Sequence, residues 1–369
     1  MLKSVSIPPP HDQDFSGAIL HPTLYLWDSW CCQSGKGVDL YCLALARTRE
    51  DGSKIHPSER NHYPFHIRHF HSVDGGDHWK DQGCFQVPGQ AEDKHDARNI
   101  WSGSVLEIAG KGKLYAYTAL QQGDDDHPFI QSLAAGFSPE GRAPISGKVL
   151  LCPLRDREKI QKAGYYLAEE NNIGSKDGEE GGPILAWRDP YLFEDSDGKL
   201  MMAWAAKISP GQCAMGLASL SLDGSLSCSV DTLFPPVLMP NDKEFRQLEV
   251  PKIYFDLLEE HYILIISTTT RASETQGASE VHMHHHLYTS KSLVDSWQPG
   301  GIETSQIGAV DTLFGMSALQ ADYLKKEIYC MAPYTELAGE KLQLSFPPKF
   351  NIDLTQLNKV AQVKANRTY

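Results

Sequence analysis

Four short segments place a polar or charged side chain beside a tryptophan or a proline inside an otherwise apolar run. LYLWDSW holds Asp28 between Trp27 and Trp30, and NIWSGS puts Ser102 after Trp101. AWRDPYLF puts Arg188 and Asp189 after Trp187, and RQLEVPKIYF sets Glu249 before an apolar strand. A carboxylate in an aromatic strand is costly to bury as a charge, so such groups are usually paired or functional. Each has an ordinary alternative when taken singly: a turn carboxylate for Asp28, a strand-end salt bridge for Arg188–Asp189, a solvated carboxylate for Glu249, a turn hydroxyl for Ser102. Jointly, three acids at successive landmarks are harder to dismiss. Two carboxyl groups flanking a glycosidic bond, one as nucleophile and one as proton donor, are what glycoside cleavage needs. Trp27 and Trp101 would offer apolar platforms to a sugar face.

Those residues must be positioned by something, and the surrounding text reads as antiparallel β. Helical periodicity is nearly absent. Short runs such as LYCLALA (40–46), KLYAYTAL (113–120), KLMMAWAAK (199–207) and HYILIIST (261–268) are rich in aromatic and aliphatic residues and are punctuated by Gly, Asp, Ser and Pro. SVLEIA-GKG-KLYAYTAL and YLFED-SDG-KLMMAWA read as hairpins, and KIYFDLLEEHYILIIST as a third with an acidic turn. HFHSVDGGDHW (69–79) and LYTSKSLVDSW (287–297) share a strand–Ser–polar turn–Trp pattern, with weaker copies at 218–226 and 134–141. Trp27, Trp101, Trp187, Glu249 and Asp311 recur every 60 to 90 residues or so, dividing the chain into five units of roughly 70. A unit of four short strands is a propeller blade, whose innermost strand lines a central channel. The expected fold is therefore all-β: one five-bladed propeller over 1–369 with an N-terminal extension at 1–20. The alternative is a pair of β-sandwiches joined by a linker. The one plausible linker, 169–183, reads better as a long surface loop.

The ordered motifs resemble glycoside hydrolase clan J, the five-bladed β-fructosidases of families 32 and 68, with the closer likeness to family 68, the levansucrases and related fructosyltransferases. The resemblance covers about 24–320 and implies specific roles. Asp28 in W-D-S-W would be the nucleophile, Ser102 in W-S-G-S a binder of the fructosyl unit, and Asp189 in R-D-P the transition-state stabiliser held by Arg188. Glu249 would be the acid/base, and Trp27 and Trp101 would help bind substrate. Family 68 usually has Arg after the acid/base Glu and another Glu two residues before it, where this chain has Val250 and Gln247. The E-V-P text leans toward the E-C-P of family 32. Arg271 and Phe314 are the nearest candidates for leaving-group contacts. Ser29, or Arg188 from across the channel, is expected to hold Asp28 ionised, and the apolar neighbours of Glu249 to keep it protonated; Glu244 is the reserve candidate for the acid. The expected activity is a retaining β-fructofuranosidase or fructosyltransferase acting on sucrose or related fructosides. A pentofuranoside-cleaving relative and a non-catalytic sugar-binding propeller are the alternatives.

Other features narrow the function further. Lys plus Arg total 34 against 47 Asp plus Glu, a net charge of −13 that disfavours nucleic acid and anionic lipid. No run approaches about 18 consecutive apolar residues, so no bilayer-spanning helix is expected. MLKSVSIPPPHDQDF lacks an apolar signal core, so a cytoplasmic setting is expected. The eight scattered cysteines are expected as reduced, mostly buried thiols, with no metal pair beyond the adjacent Cys31 and Cys32. His282, His284 and His286 share one strand face and read as a solvated rim, and the DDDH run at 124–127 as an acidic loop. Arg68 and His66 lie on a strand near the first blade's edge. No organic cofactor or metal is expected, and the partner is a small sugar.

Overall fold

The computed structural model describes residues 2–356 apart from 36, 92, 122, 124–125, 141–146, 180–183, 274–275, 277–279, 301–312, 335–336, 339–340 and 343. Five antiparallel sheets follow one another along the chain and close into a ring. Blade I holds β1 (Phe15–Ser16), β2 (Leu24–Ser34), β3 (Gly37–Ala46), β4 (His66–Ser72) and β5 (His78–Gln86), with β1 paired to the outer edge of β5. Blade II is β6 (Asn99–Ile108), β7 (Gly112–Gln121), β8 (Ile130–Pro139) and β9 (Lys148–Leu151). Blade III is β10 (Arg188–Glu194), β11 (Leu200–Ser209), β12 (Gln212–Leu222) and β13 (Cys228–Leu233). Blade IV is β14 (Gln247–Asp256), β15 (His261–Thr269), β16 (Met283–Ser290) and β17 (Gln298–Pro299). Blade V holds β18 (Ser317–Asp322) and β19 (Glu327–Met331); the little ribbon β20 (Leu337–Ala338) and β21 (Lys341–Leu342) precedes its third strand, β22 (Phe350–Asp353). Expected and observed hairpins coincide at β6–β7, β10–β11 and β14–β15. The strand–Ser–turn–Trp pattern falls at the β4–β5 and β16–β17 connections, the same place in two blades.

Burial explains the strand sequences. The second strands β3, β7, β11 and β15 are buried on both faces, since each blade is sandwiched between two others, so they read as continuous apolar runs. The outer strand β5 alternates buried and exposed positions. Five apolar layers separate the blades. Trp30 and Tyr41 meet Ile100 and Tyr117 between I and II; Leu133 and Phe137 meet Trp204 and Met202 between II and III. Met201 and Met215 meet Ile253 and Leu264 between III and IV, and Ile263 and Leu287 meet Met316 and Ile328 between IV and V. Leu24, Leu40 and Phe70 meet Leu319 and Phe346 where the ring closes. Trp204 is seated by the glycine across from it: a Cβ at Gly216 would lie 2.0 Å from the Trp204 ring.

The N-terminal segment expected as an extension is built into blade I. Arg68, fully buried, pairs with Asp81 through both carboxylate oxygens (2.8 and 2.5 Å) and donates to the Pro8 and Pro9 carbonyls (2.8 and 2.7 Å). His21 also bonds Asp81, at 3.2 Å. Arg68 therefore straps the proline run to the blade. His66, on the same strand, is buried too, and burial pushes its imidazole down to about 3.

Candidate active site

The innermost strands of blades I to IV each carry one extra residue relative to the neighbouring strand, at or next to the position where the sequence places a polar group. The β2–β3 ladder slips at Asp28, β6–β7 at Ser102, β10–β11 across Asp189–Pro190, and β14–β15 across Val250–Pro251. Such bulges bend a strand and re-aim its side chains. Asp28 (φ 22°), Asp189 (φ 60°) and Val250 (φ 44°) accordingly occupy left-handed backbone that costs of order 1–3 kcal/mol each and persists only when the surroundings enforce it.

The bulges converge on one cavity of about 450 Å³ at the mouth of the channel. Trp27, Asp28, Trp101, Ser102, Arg188, Asp189 and Glu249 all line it, as do Arg271 and Phe314. Trp30 and Trp187 do not; both are core residues, Trp187 packing against Trp204 and Tyr165. Glu244 is exposed and bonded to Asn241, away from the cavity lining. Of the histidines on β16, His284 is exposed, whereas His286 is half-buried and packs on Phe245, so the expected solvated rim holds only for part of that face. Asp311, Asp124 and Asp125 lie outside the described residues.

Asp28 accepts a 2.6 Å hydrogen bond from Ser102 Oγ, which crosses from blade II. The expected partners of Asp28 are corrected on this point: Ser29 Oγ faces Ser317 at 3.4 Å, and Arg188 turns to blade IV. Asp189 is buried. Its backbone N–H donates to Thr118 Oγ1 (2.8 Å), Thr118 donates on to the Ser102 carbonyl (3.1 Å), and its Oδ2 accepts the Val250 N–H (3.1 Å). Burial pushes the Asp189 carboxyl up to about 6 and the charge of Asp28 adds to that, while Arg188, the Val250 N–H and Lys252 pull the other way.

Arg188 does not hold Asp189 through a direct bond. Its guanidinium donates to Gln247 Oε1 (2.6 Å), Glu249 Oε1 (3.3 Å) and Glu179 Oε2 (3.4 Å). Gln247 is thus a neutral acceptor for that guanidinium. Glu179 corrects the expectation of a surface loop at 169–183: the described part of that loop sends a buried carboxylate inward, where it also caps the Leu185 N–H at 2.9 Å, and Gly178 reaches the cavity. Sequence reasoning missed Glu179, and also Ser58, Arg60 and Asn61, which a short 3₁₀ turn over Pro57–His62 brings to the cavity wall. The P-S-E-R-N text after His56 carries a capping-box spacing, a signal for the turn but not for its destination.

The eight cysteines are free thiols, with Cys84 exposed and Cys31 half-buried. Among the described residues no group of three or more His, Cys, Asp or Glu side chains is arranged to hold a metal ion, and no helix is long and apolar enough to cross a membrane.

No protein-family model matches the chain, and no curated protein sequence does. Solved structures do. A double mutant of Bacillus subtilis levansucrase in complex with oligosaccharides is 13% identical, with 89% of this chain and 84% of that one covered and a TM-score of 0.57. A B. megaterium levansucrase mutant is 14% identical over 89% and 83%, again at 0.57. The B. subtilis levansucrase itself is 15% identical over 90% and 84%, at 0.56. At this level of identity the likeness concerns the backbone: the chain has the five-bladed propeller fold that levansucrases have.

Proposed function

We propose that the protein is a retaining glycoside hydrolase or transferase of β-fructosidase type, acting on sucrose or a related β-fructofuranoside. The observation that supports this reading most is the convergence of three carboxylates from blades I, III and IV, Asp28, Asp189 and Glu249, on one cavity with two tryptophans in its wall. In this reading Asp28 attacks the anomeric carbon, and the bond to the leaving oxygen breaks as Glu249 gives that oxygen its proton. Water or a second sugar then attacks the fructosyl–Asp28 ester, with Glu249 taking the proton of the incoming hydroxyl. The Ser102 hydrogen bond aims the attacking carboxylate. Ionised Asp189 would accept hydrogen bonds from ring hydroxyls that strengthen as positive charge develops on the ring.

Arg188 serves the two halves of the cycle differently. Its contact with Glu249 favours the carboxylate needed in the second half. In the first half Glu249 carries the proton, while Glu179 and Gln247 remain acceptors for the guanidinium. The test is product formation from sucrose, raffinose, inulin and arabinofuranosides followed by chromatography. Release or transfer of fructose is the expected result. Turnover of arabinofuranosides alone would move the assignment to pentofuranosides, and binding without turnover would make the protein a sugar-binding propeller.

A further inference from the structure

Lys252 lies on β14 three residues beyond Glu249, outside the cavity lining, and is 2% exposed. Lysine is almost never buried to this degree without a compensating charge. Its Nζ donates to the carbonyls of Val250 (3.3 Å) and Gly315 (3.2 Å), which satisfy donors but do not neutralise a cation. Both carbonyls belong to residues with positive φ. Val250, β-branched at φ 44°, is an outlier; that conformation turns its N–H to Asp189 and its C=O to Lys252. Gly315, at φ 65°, packs against Asp28: a Cβ there would stand 3.9 Å from Asp28 Oδ1 and 3.4 Å from Val250 Cγ2. One backbone residue therefore separates the ammonium from each carboxylate.

The titratable groups around Lys252 are Asp28 and Cys31 on β2, Asp189 on β10, His285 on β16 and Cys330 on β19. Burial drives both thiols well above their ordinary range and His285 down to about 4, so these three are neutral near pH 7. Burial also pushes Lys252 down to about 8, against the pull of Asp28 and Asp189, which leaves it charged below that pH. The two carboxylates are what remains to balance it.

We propose that Lys252 is a buried counter-ion for Asp28 and Asp189, a positioning residue that lets two neighbouring carboxylates of the cavity stay ionised together. Its effect on turnover rests on the functional reading above; its electrostatic coupling does not. The test has two arms on the full chain. In Lys252→Gln, which keeps a donor for the carbonyls but loses the charge, and in Lys252→Met, the acid limb of the kcat/KM profile should move up by about one pH unit or more. An unmoved acid limb in a folded Lys252→Gln protein overturns the proposal. The second arm keeps Lys252 and needs no activity: 13C NMR of labelled lysine follows the Lys252 titration in the wild-type chain and in two carboxylate variants. Asp28→Asn and Asp189→Asn should each lower it by about one unit, because coupling between two sites is reciprocal. A titration unchanged in both overturns the counter-ion whatever the enzyme's substrate. Coupling without fructoside turnover supports the counter-ion and refutes the functional reading instead.

Discussion

Arg188 is the hub where the long loop after blade II meets Glu249, and its removal has consequences that can be sized. The guanidinium and the Glu179 carboxylate stand 3.4 Å apart, with both side chains 8% exposed. At an effective dielectric of 20, two unit charges at that separation attract by about 5 kcal/mol before desolvation is subtracted. Removing one partner of a buried pair generally costs about 3–5 kcal/mol because the other is left uncompensated. Arg188→Met should therefore destabilise by about 3–5 kcal/mol, since Glu179 keeps the Leu185 N–H but loses the Arg188 guanidinium. Glu179→Gln should cost less, about 1–3 kcal/mol, since Arg188 retains Gln247 and Glu249. The double variant should then recover part of the sum, with a coupling energy of about 1–3 kcal/mol. Urea unfolding at constant m-value reads these differences as midpoint shifts. Strict additivity, or an Arg188→Met protein as stable as wild type, would refute the inward-facing Glu179 and with it the role of that loop.

Three further outcomes are expected. Asp28→Asn and Glu249→Gln should each lower kcat by several orders of magnitude with folding intact, read by steady-state kinetics beside circular dichroism; near-native turnover in either would remove that residue from the mechanism. With the Asp189 carboxyl pushed up to about 6 by burial and required as a carboxylate, kcat/KM should fall as pH drops through about 6, and in Asp189→Asn the residual activity should lack that limb. Asp81 is held well below the usual carboxylate range, since hydrogen bonds from His21 and Arg68 and from the His11 and Gly83 N–H groups outweigh its burial. It should stabilise the fold above about pH 4 and lose that contribution as pH falls through its lower folded value. Asp81→Asn, which leaves Arg68 buried and unpaired, should cost about 3–5 kcal/mol in thermal or urea unfolding.

How much of this was legible in the sequence depended on where each residue sits. The blades were readable because second strands buried on both faces must be continuously apolar, and the tight connections between them need Gly, Asp and Ser. Asp28, Ser102, Asp189 and Glu249 were readable as polar breaks in the apolar text of the innermost strands, and all four line the cavity. Their hydrogen-bond partners were not. Which donor reaches Asp28 depends on bulges that rotate Ser102 inward, and no local pattern separates Ser102 from Ser29. Thr118, which links Ser102 to Asp189, looks like any β-branched strand residue. Glu179, Arg60 and Asn61 arrive on loops whose paths are set by tertiary packing. Lys252 is a single lysine between Pro251 and the apolar Ile253–Tyr254–Phe255 run, with no local pattern to mark it, and only its depth in the ring shows its place.

The central claim is that Asp28 forms a covalent bond to the sugar while Glu249 manages the proton. Acid-quenching a reaction of the Glu249→Ala variant with a β-fructofuranoside bearing a good leaving group, then mapping peptides by mass spectrometry, tests it directly. The leaving group needs no proton, whereas hydrolysis of the ester lacks its base, so the intermediate should accumulate. One fructosyl unit is expected on the peptide containing Asp28 and none after Asp28→Asn. Turnover with no adduct, or an adduct on another residue, would contradict it.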